Sequence, residues 1–149
     1  AQPMNVVARG GMQVGSCLAG VAFLKGLGLV HAISHMIGAE FNTHHGNTNA
    51  IVLPVVLRFN LRGMESKVRR MAEAMEFADQ SVDGFIASIE RLLDEVHIHR
   101  SLWEVGVPPD CAERIALKAL KDPAARTNPR SASLDEIRTL IEVAIHNAR

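Results

Sequence analysis

Four of the seven histidines, His31, His35, His44 and His45, fall within one fifteen-residue stretch in the most apolar part of the chain. His31 and His35 are four residues apart, so on a helix their imidazoles share one face about a turn from each other. His45 comes ten residues after His35, beyond a turn signalled by Gly38 and by Asn42-Thr43, and can fold back over that face. Two imidazoles converging from different elements suit Fe, Zn, Co or Ni, with a His nitrogen about 2.0–2.1 Å from zinc. Taken singly, each histidine reads better as a core imidazole hydrogen-bonded to backbone, and the clustering brings the two readings level. The clustering is what makes a metal or proton-transfer site a candidate. His97 and His99 flank Ile98 at the end of an amphipathic stretch and suit capping of its C-terminal carbonyls. His146 reads as a surface residue.

The elements that must hold these residues are helices. There is no Tyr and one Trp, and no run alternates apolar and polar residues between turn signals. Val82, Phe85, Ile86, Ile89, Leu92, Leu93 and Val96 follow the i, i+3, i+4, i+7 rule of an amphipathic helix, and Leu134, Ile137, Leu140, Ile141, Ala144 and Ile145 repeat it. Ser133 followed by Glu136 predicts a capping box at the start of the second. Met64 to Phe77 and Pro109 to Leu120 predict shorter helices, with Pro109 in a first turn where its missing N–H is harmless. Gly15 to Val30 is apolar nearly all round, which predicts a buried helix with a break at Gly26 and Gly28. Asn49 to Asn60 is apolar again, with Pro54 removing one helical hydrogen bond. Loops are expected at Asn42–His45, His99–Pro108 and Asp122–Ser131. The fold class is all-α, a multi-helix bundle, and the 149 residues form one domain.

Composition excludes several function classes. Sixteen Lys plus Arg balance sixteen Asp plus Glu, so no surplus positive field exists to neutralise phosphates, and nucleic acid is not an expected partner. Arg62, Lys67, Arg69 and Arg70 are offset by Glu65, Glu73 and Glu76 and read as a solvated helix face. The longest apolar stretch, Val14 to Leu24, falls short of the ~20 residues that span a bilayer, so no membrane partner is expected. Ala1-Gln2-Pro3-Met4 has none of the basic, then apolar, character of a secretion signal. Cys17 and Cys111 are too few for a disulfide framework and read as free thiols in a cytoplasmic protein, with no neighbouring sequence that would activate either as a nucleophile.

The stretch Gly28-Leu29-Val30-His31-Ala32-Ile33-Ser34-His35-Met36-Ile37-Gly38, with Phe41-Asn42-Thr43-His44-His45-Gly46 and Asn49-Ala50, resembles the signature of iron-containing (group III) alcohol dehydrogenases. The pattern is G-x-x-H-x-x-x-H-x-x-G-x-x-x-x-x-x-H-G. Ala8-Arg9 and Ala19-Gly20-Val21-Ala22-Phe23 resemble the helix before the signature, and Leu53-Pro54 with Arg58-Phe59-Asn60 the helix after it. Gly106-Val107-Pro108, Asp122 and Thr127-Asn128-Pro129-Arg130 resemble the end of the family's helical domain, so nearly the whole chain is covered.

The resemblance implies that His31 and His45 bind a divalent metal, Fe2+ first and Zn2+ second, and that His35 lies beside nicotinamide and alcohol. His44 stands where many members have Pro, and is expected to face away or touch the pocket rim; it is the alternative to His45 as ligand. The implied activity is alcohol and aldehyde hydride transfer with NAD(P), the metal acting as Lewis acid. Histidine is the side chain whose unperturbed charge change falls nearest neutral pH, so the residue type at position 35 suits proton relay by His35. The family's two further ligands, an Asp and a His one turn apart, lie earlier than Ala1, as does its nucleotide-binding domain. Gly26-Leu27-Gly28-Leu29-Val30-His31 follows a helix and has His where a third glycine belongs, so it fails as a dinucleotide fingerprint. The expected identity is thus residues 1–149 as the helical metal-binding domain of such an enzyme, inactive alone. The alternative is a free-standing helical module acting by self-association or partner binding. Apolar surface bared on an isolated domain favours a homo-oligomer in either case.

Overall fold

The computed structural model describes residues 2–146, which form helices and turns with no strand among them. Seven α-helices run in chain order among these residues: α1 (Val6–Ala22), α2 (Gly28–Phe41), α3 (His45–Asn60), α4 (Glu65–Ala74), α5 (Val82–Glu95), α6 (Ala112–Ala119) and α7 (Leu134–His146). Short 3-10 turns link several of them, including Phe23–Lys25, Pro109–Cys111 and Pro123–Thr127.

The helix ends follow from local chemistry. Ser81 caps α5 by accepting from the Gly84 N–H at 3.0 Å. The box predicted before α7 is formed: Ser133 N–H donates to the Glu136 carboxylate at 2.8 Å, and Glu136 N–H donates to Ser133 Oγ at 3.2 Å. Helix α4 stops short of the predicted Phe77 because Glu76 turns left-handed (φ 57), letting the Phe77 N–H reach back to the Ala72 carbonyl at 2.9 Å. His97 ends α5 likewise (φ 60), with Ile98 N–H on the Leu93 carbonyl at 2.9 Å. Its backbone thus shapes the helix end that its ring was expected to cap.

Two apolar clusters share α3. On one side, Leu29, Ile33 and Ile37 of α2 and Ile51, Val52, Val55 and Val56 of α3 pack with Ile115 and Ala116 of α6 and Ile137, Ile141 and Ile145 of α7. On the other, Val68 and Ala72 of α4 and Phe85, Ile86 and Ile89 of α5 cover Ala50, Leu53 and Leu57 of α3. Helix α3 is apolar on two faces because it is packed on both, and Pro54 sits buried inside it. Each large aliphatic side chain so buried contributes about 1.5–3 kcal/mol, which fixes where α2 and α3 can place their histidines.

The expectation of one buried helix over Gly15–Val30 is overturned. Helix α1 ends at Ala22, and none of its residues is buried. Val6, Val7, Met12, Val14, Leu18 and Val21 are 61–85% exposed. All-round apolarity says that a helix needs a covering surface, and the described residues do not supply one. The break was correctly placed: Gly26 (φ 103) and Gly28 (φ 71) turn the chain between α1 and α2. Counted with the turn after α1, Val6–Lys25 is one 20-residue stretch of mean hydropathy 1.3, long and apolar enough to cross a membrane by length and composition. The eleven-residue count missed this because it stopped at Gln13 and so left out the residues from Val6 to Met12 that helical continuity carries along. Cys17 is exposed on α1; Cys111 is buried, and both are free. Burial pushes the Cys111 thiol above its ordinary range.

Candidate functional site

The helix that carries His31 and His35 begins without a cap of its own. Leu27, at its N-cap, offers no side-chain acceptor, so the orphan N–H groups of the first turn must find partners elsewhere. They find them a hundred residues later. Thr127 Oγ1 accepts from the Leu27 and Gly28 N–H groups at 3.1 and 3.3 Å, and Asn128 Oδ1 accepts from the Leu29 N–H at 3.1 Å. Asn128 is itself braced by Asn60, whose Nδ2 donates to it at 3.0 Å and whose Oδ1 accepts from it at 2.7 Å. This approach leaves no room at Gly28, where a Cβ would meet Asn128 Oδ1 at 2.9 Å at a φ that side chains rarely adopt. Gly38 is different: a Cβ there would meet only ordinary contact, 3.8 Å from the Thr43 carbonyl.

One turn into α2, His31, His35 and the His45 ring at the start of α3 form a triangle. Ring centroids are 5.7 Å apart for His31 and His35, 5.3 Å for His31 and His45, and 5.5 Å for His35 and His45, the last pair stacked at 14°. Phe23 meets the His31 ring edge-on at 5.4 Å. His44 takes no part; its Nδ1 accepts from the Asn47 N–H at 3.3 Å and caps α3. His99 bonds to the Asn47 side chain at 3.2 Å.

The centre of the arrangement is Asn49, one turn after His45. Its amide nitrogen lies 3.3 Å from His31 Nε2 and 3.0 Å from His45 Nε2. Its amide oxygen accepts from the buried Ser34 hydroxyl. With the oxygen so engaged, the NH2 group faces both imidazoles, and each Nε2 presents a lone pair. His31 then carries its proton on Nδ1, which is buried without a well-formed hydrogen bond, although the Leu27 carbonyl lies close enough to act on it. Burial first, then the neighbouring His45 and His35, hold His31 below its ordinary 6.5. A neutral ring at neutral pH follows.

His35 points to a different partner. Its Nδ1 lies 3.1 Å from Asp122 Oδ2, and the Asp122 side chain is only 10% exposed. Asp122 Oδ1 accepts from the Ala124 N–H at 2.7 Å, which fixes the carboxylate. With its proton on Nδ1 toward Asp122, the His35 Nε2 is left as an acceptor.

Two lone pairs aimed at one polarised N–H2 group are a donor set that a divalent cation fits. Among the described residues, however, no three His, Cys, Asp or Glu side chains converge as a complete cage. Sequence reasoning selected His31, His35 and His45 but gave Asn49 and Asp122 no role. Asn49 was accessible from its i+4 spacing to His45; Asp122, 87 residues from His35, left no local signal.

Comparison with known proteins follows the same lines. A family model described as "Fe-containing alcohol dehydrogenase family, C-terminal" matches residues 1–145. The chain is 36% identical, over 89% of its length, to the probable alcohol dehydrogenase EutG of Escherichia coli K12, and spans 34% of that protein. It is 33% identical, over 95% of its length, to the NAD-dependent methanol dehydrogenase of Bacillus methanolicus, and spans 39% of it. Among solved structures, a 1,3-propanediol oxidoreductase superposes with a TM-score of 0.74 at 32% identity, over 79% of this chain and 32% of the other. The chain thus spans about a third of the length of the relatives it resembles.

Proposed function

The chain belongs to the Fe-containing alcohol dehydrogenase family, matching its C-terminal portion, and from that premise we propose that it is the metal-binding helical part of an NAD(P)-dependent alcohol dehydrogenase acting on small alcohols and aldehydes in the cytoplasm. His31 and His45 would hold the metal, iron(II) or zinc. The observation that carries this reading is the convergence of their Nε2 lone pairs on the Asn49 amide at 3.3 and 3.0 Å. When bound, the metal supplies Lewis-acid polarisation of the alcohol oxygen while NAD(P) accepts the hydride.

The remaining chemistry belongs to the protein. Asp122 fixes His35 with Nε2 available, and the side chain of His35 is 36% exposed, so it takes the alcohol proton and passes it to solvent. Phe23 packs edge-on against the His31 ring. The relatives' names support the assignment of substrate class, and the name of the Bacillus methanolicus relative supports NAD. The residues that would grip the cofactor pyrophosphate, and the metal's other two ligands, are proposed to come from outside this helical part.

The test is zinc or cobalt(II) uptake by the purified chain, followed calorimetrically. His31→Ala and His45→Ala should each abolish binding, and His44→Ala should leave it intact. Uptake indifferent to both His31 and His45 would end the metal reading. A second reading, a helical module working by self-association, is favoured by one observation: the unburied apolar helix α1.

A further inference from the structure

We propose that a groove between α3 and α7 binds small amphipathic monocarboxylates, at a site separate from the histidine triangle and independent of any metal. Val55, Arg58 and Phe59 recur three and four residues apart on α3, with Arg62 in register just beyond its end, so they line one face. Leu140 and Val143 of α7 line the same groove. The space between is ≈ 420 Å³, inside the range of about 300–1,000 Å³ typical of small-molecule sites. Arg58 lies near the far end of α3 from His45, about 20 Å away at 1.5 Å per residue.

The charges around the groove select the ligand. Arg130 is committed: its Nη1 donates to the Phe59 carbonyl at 3.2 Å, its Nη2 to Glu136 at 3.0 Å, and its guanidinium lies 3.9 Å from the Phe59 ring centroid. Arg58 is paired with Glu90 of α5, and Asp135 with Arg138 at 3.3 Å. Arg62 has no hydrogen bond or ion pair among the described residues. One positive charge is thus left over beside an apolar wall in which Val55 and Leu140 are buried and Val143 is exposed. A matching ligand carries one negative charge on an aliphatic body. Its carboxylate meets Arg62 in charge-assisted hydrogen bonds, and its body covers Leu140 and Val143. The wall from Val55 to Arg62 is about 10 Å long, shorter than a partner helix of ordinary length and sufficient for an acyl chain. Helix α1 of a second copy is a poor match, since it carries Arg9 and no acidic residue.

Octanoate is the probe, added to the purified chain and followed by backbone amide NMR. Saturable shifts should be strongest over residues 55–62, at Arg130 and over residues 135–143. Affinity should fall by up to about fourfold for each methylene removed toward butanoate. It should fall about tenfold or more in Arg62→Glu, the scale of a lost hydrogen bond to a charged group. Val143→Asp, on exposed surface, should weaken binding comparably, and His31→Ala should leave it unchanged. The proposal is overturned if butanoate or neutral octanamide binds as well as octanoate, or if Arg62→Glu binds octanoate undiminished. Loss of the shifts in His31→Ala would overturn it too, by placing the carboxylate at the histidines.

Discussion

Replacing Asn128 with alanine strips the start of the histidine-bearing helix of its borrowed cap, and the structure sets the size of the effect. The side chain makes four hydrogen bonds: it accepts from Leu29 N–H and Asn60 Nδ2, and donates to Asn60 Oδ1 and the Arg130 carbonyl. Each is worth about 1 kcal/mol net, and buried groups left without partners cost about 1–3 kcal/mol. Leu29 is 2% exposed and Asn60 9% exposed, so water cannot readily replace what the first three bonds supply. The Arg130 carbonyl is in a half-buried residue and rehydrates more easily. The expected loss is therefore about 3 kcal/mol, or a fall in Tm of about 6–12 °C at this chain length. Asn128→Asp keeps the oxygen that receives the Leu29 N–H but loses both donors, and should fall about midway. Urea unfolding followed by far-ultraviolet circular dichroism measures both. A loss below about 1 kcal/mol for the alanine variant would show that α2 holds its first turn without help, and the account of how the site is positioned would be wrong.

Two other predictions concern surfaces. Glu40 on α2 is held down from an ordinary 4.5 to about 2, first by its hydrogen bond from Arg114 and then by Lys118, both on α6. A depressed carboxyl contributes stability that is complete above pH 4.5 and lost as pH falls toward 2. Glu40→Gln should flatten the acid limb in that window, with the difference shrinking in high salt because the pair is exposed; an acid limb unchanged by the substitution contradicts the tie. For α1, sedimentation of the isolated chain should show association that chelator leaves intact and that Val14→Glu with Leu18→Glu abolishes. A monomer at every concentration tested would remove self-association from consideration.

Much of the architecture was legible because period and caps are local properties. The spacing of Phe85, Ile86, Ile89 and Leu93 is the buried face of α5, and Ser133 with Glu136 forms the predicted box. The break at Gly26 and Gly28 was legible too. What failed was the environment of α1: apolarity reports how a residue partitions, and whether a covering surface is present is decided elsewhere. At the site, the signature spacing selected the three histidines that the structure brings into one triangle, while His44 proves to be a helix cap. Asp122, Thr127 and Asn128 were visible only as parts of a resemblance. Their contacts with His35 and the start of α2 bridge 87 to 100 residues, and no periodicity in a short window encodes a pairing at that range.

That long reach gives the molecule an order of construction. A growing chain completes α2, with its two imidazoles, well before the threonine and asparagine that seal its front turn or the aspartate that steadies His35 have been synthesised. Closing so large a loop adds little thermodynamic burden, since the entropic cost rises only with the logarithm of its length. In time, though, it makes the histidine face late to mature, finished only once the loop preceding the final helix has been made and docked.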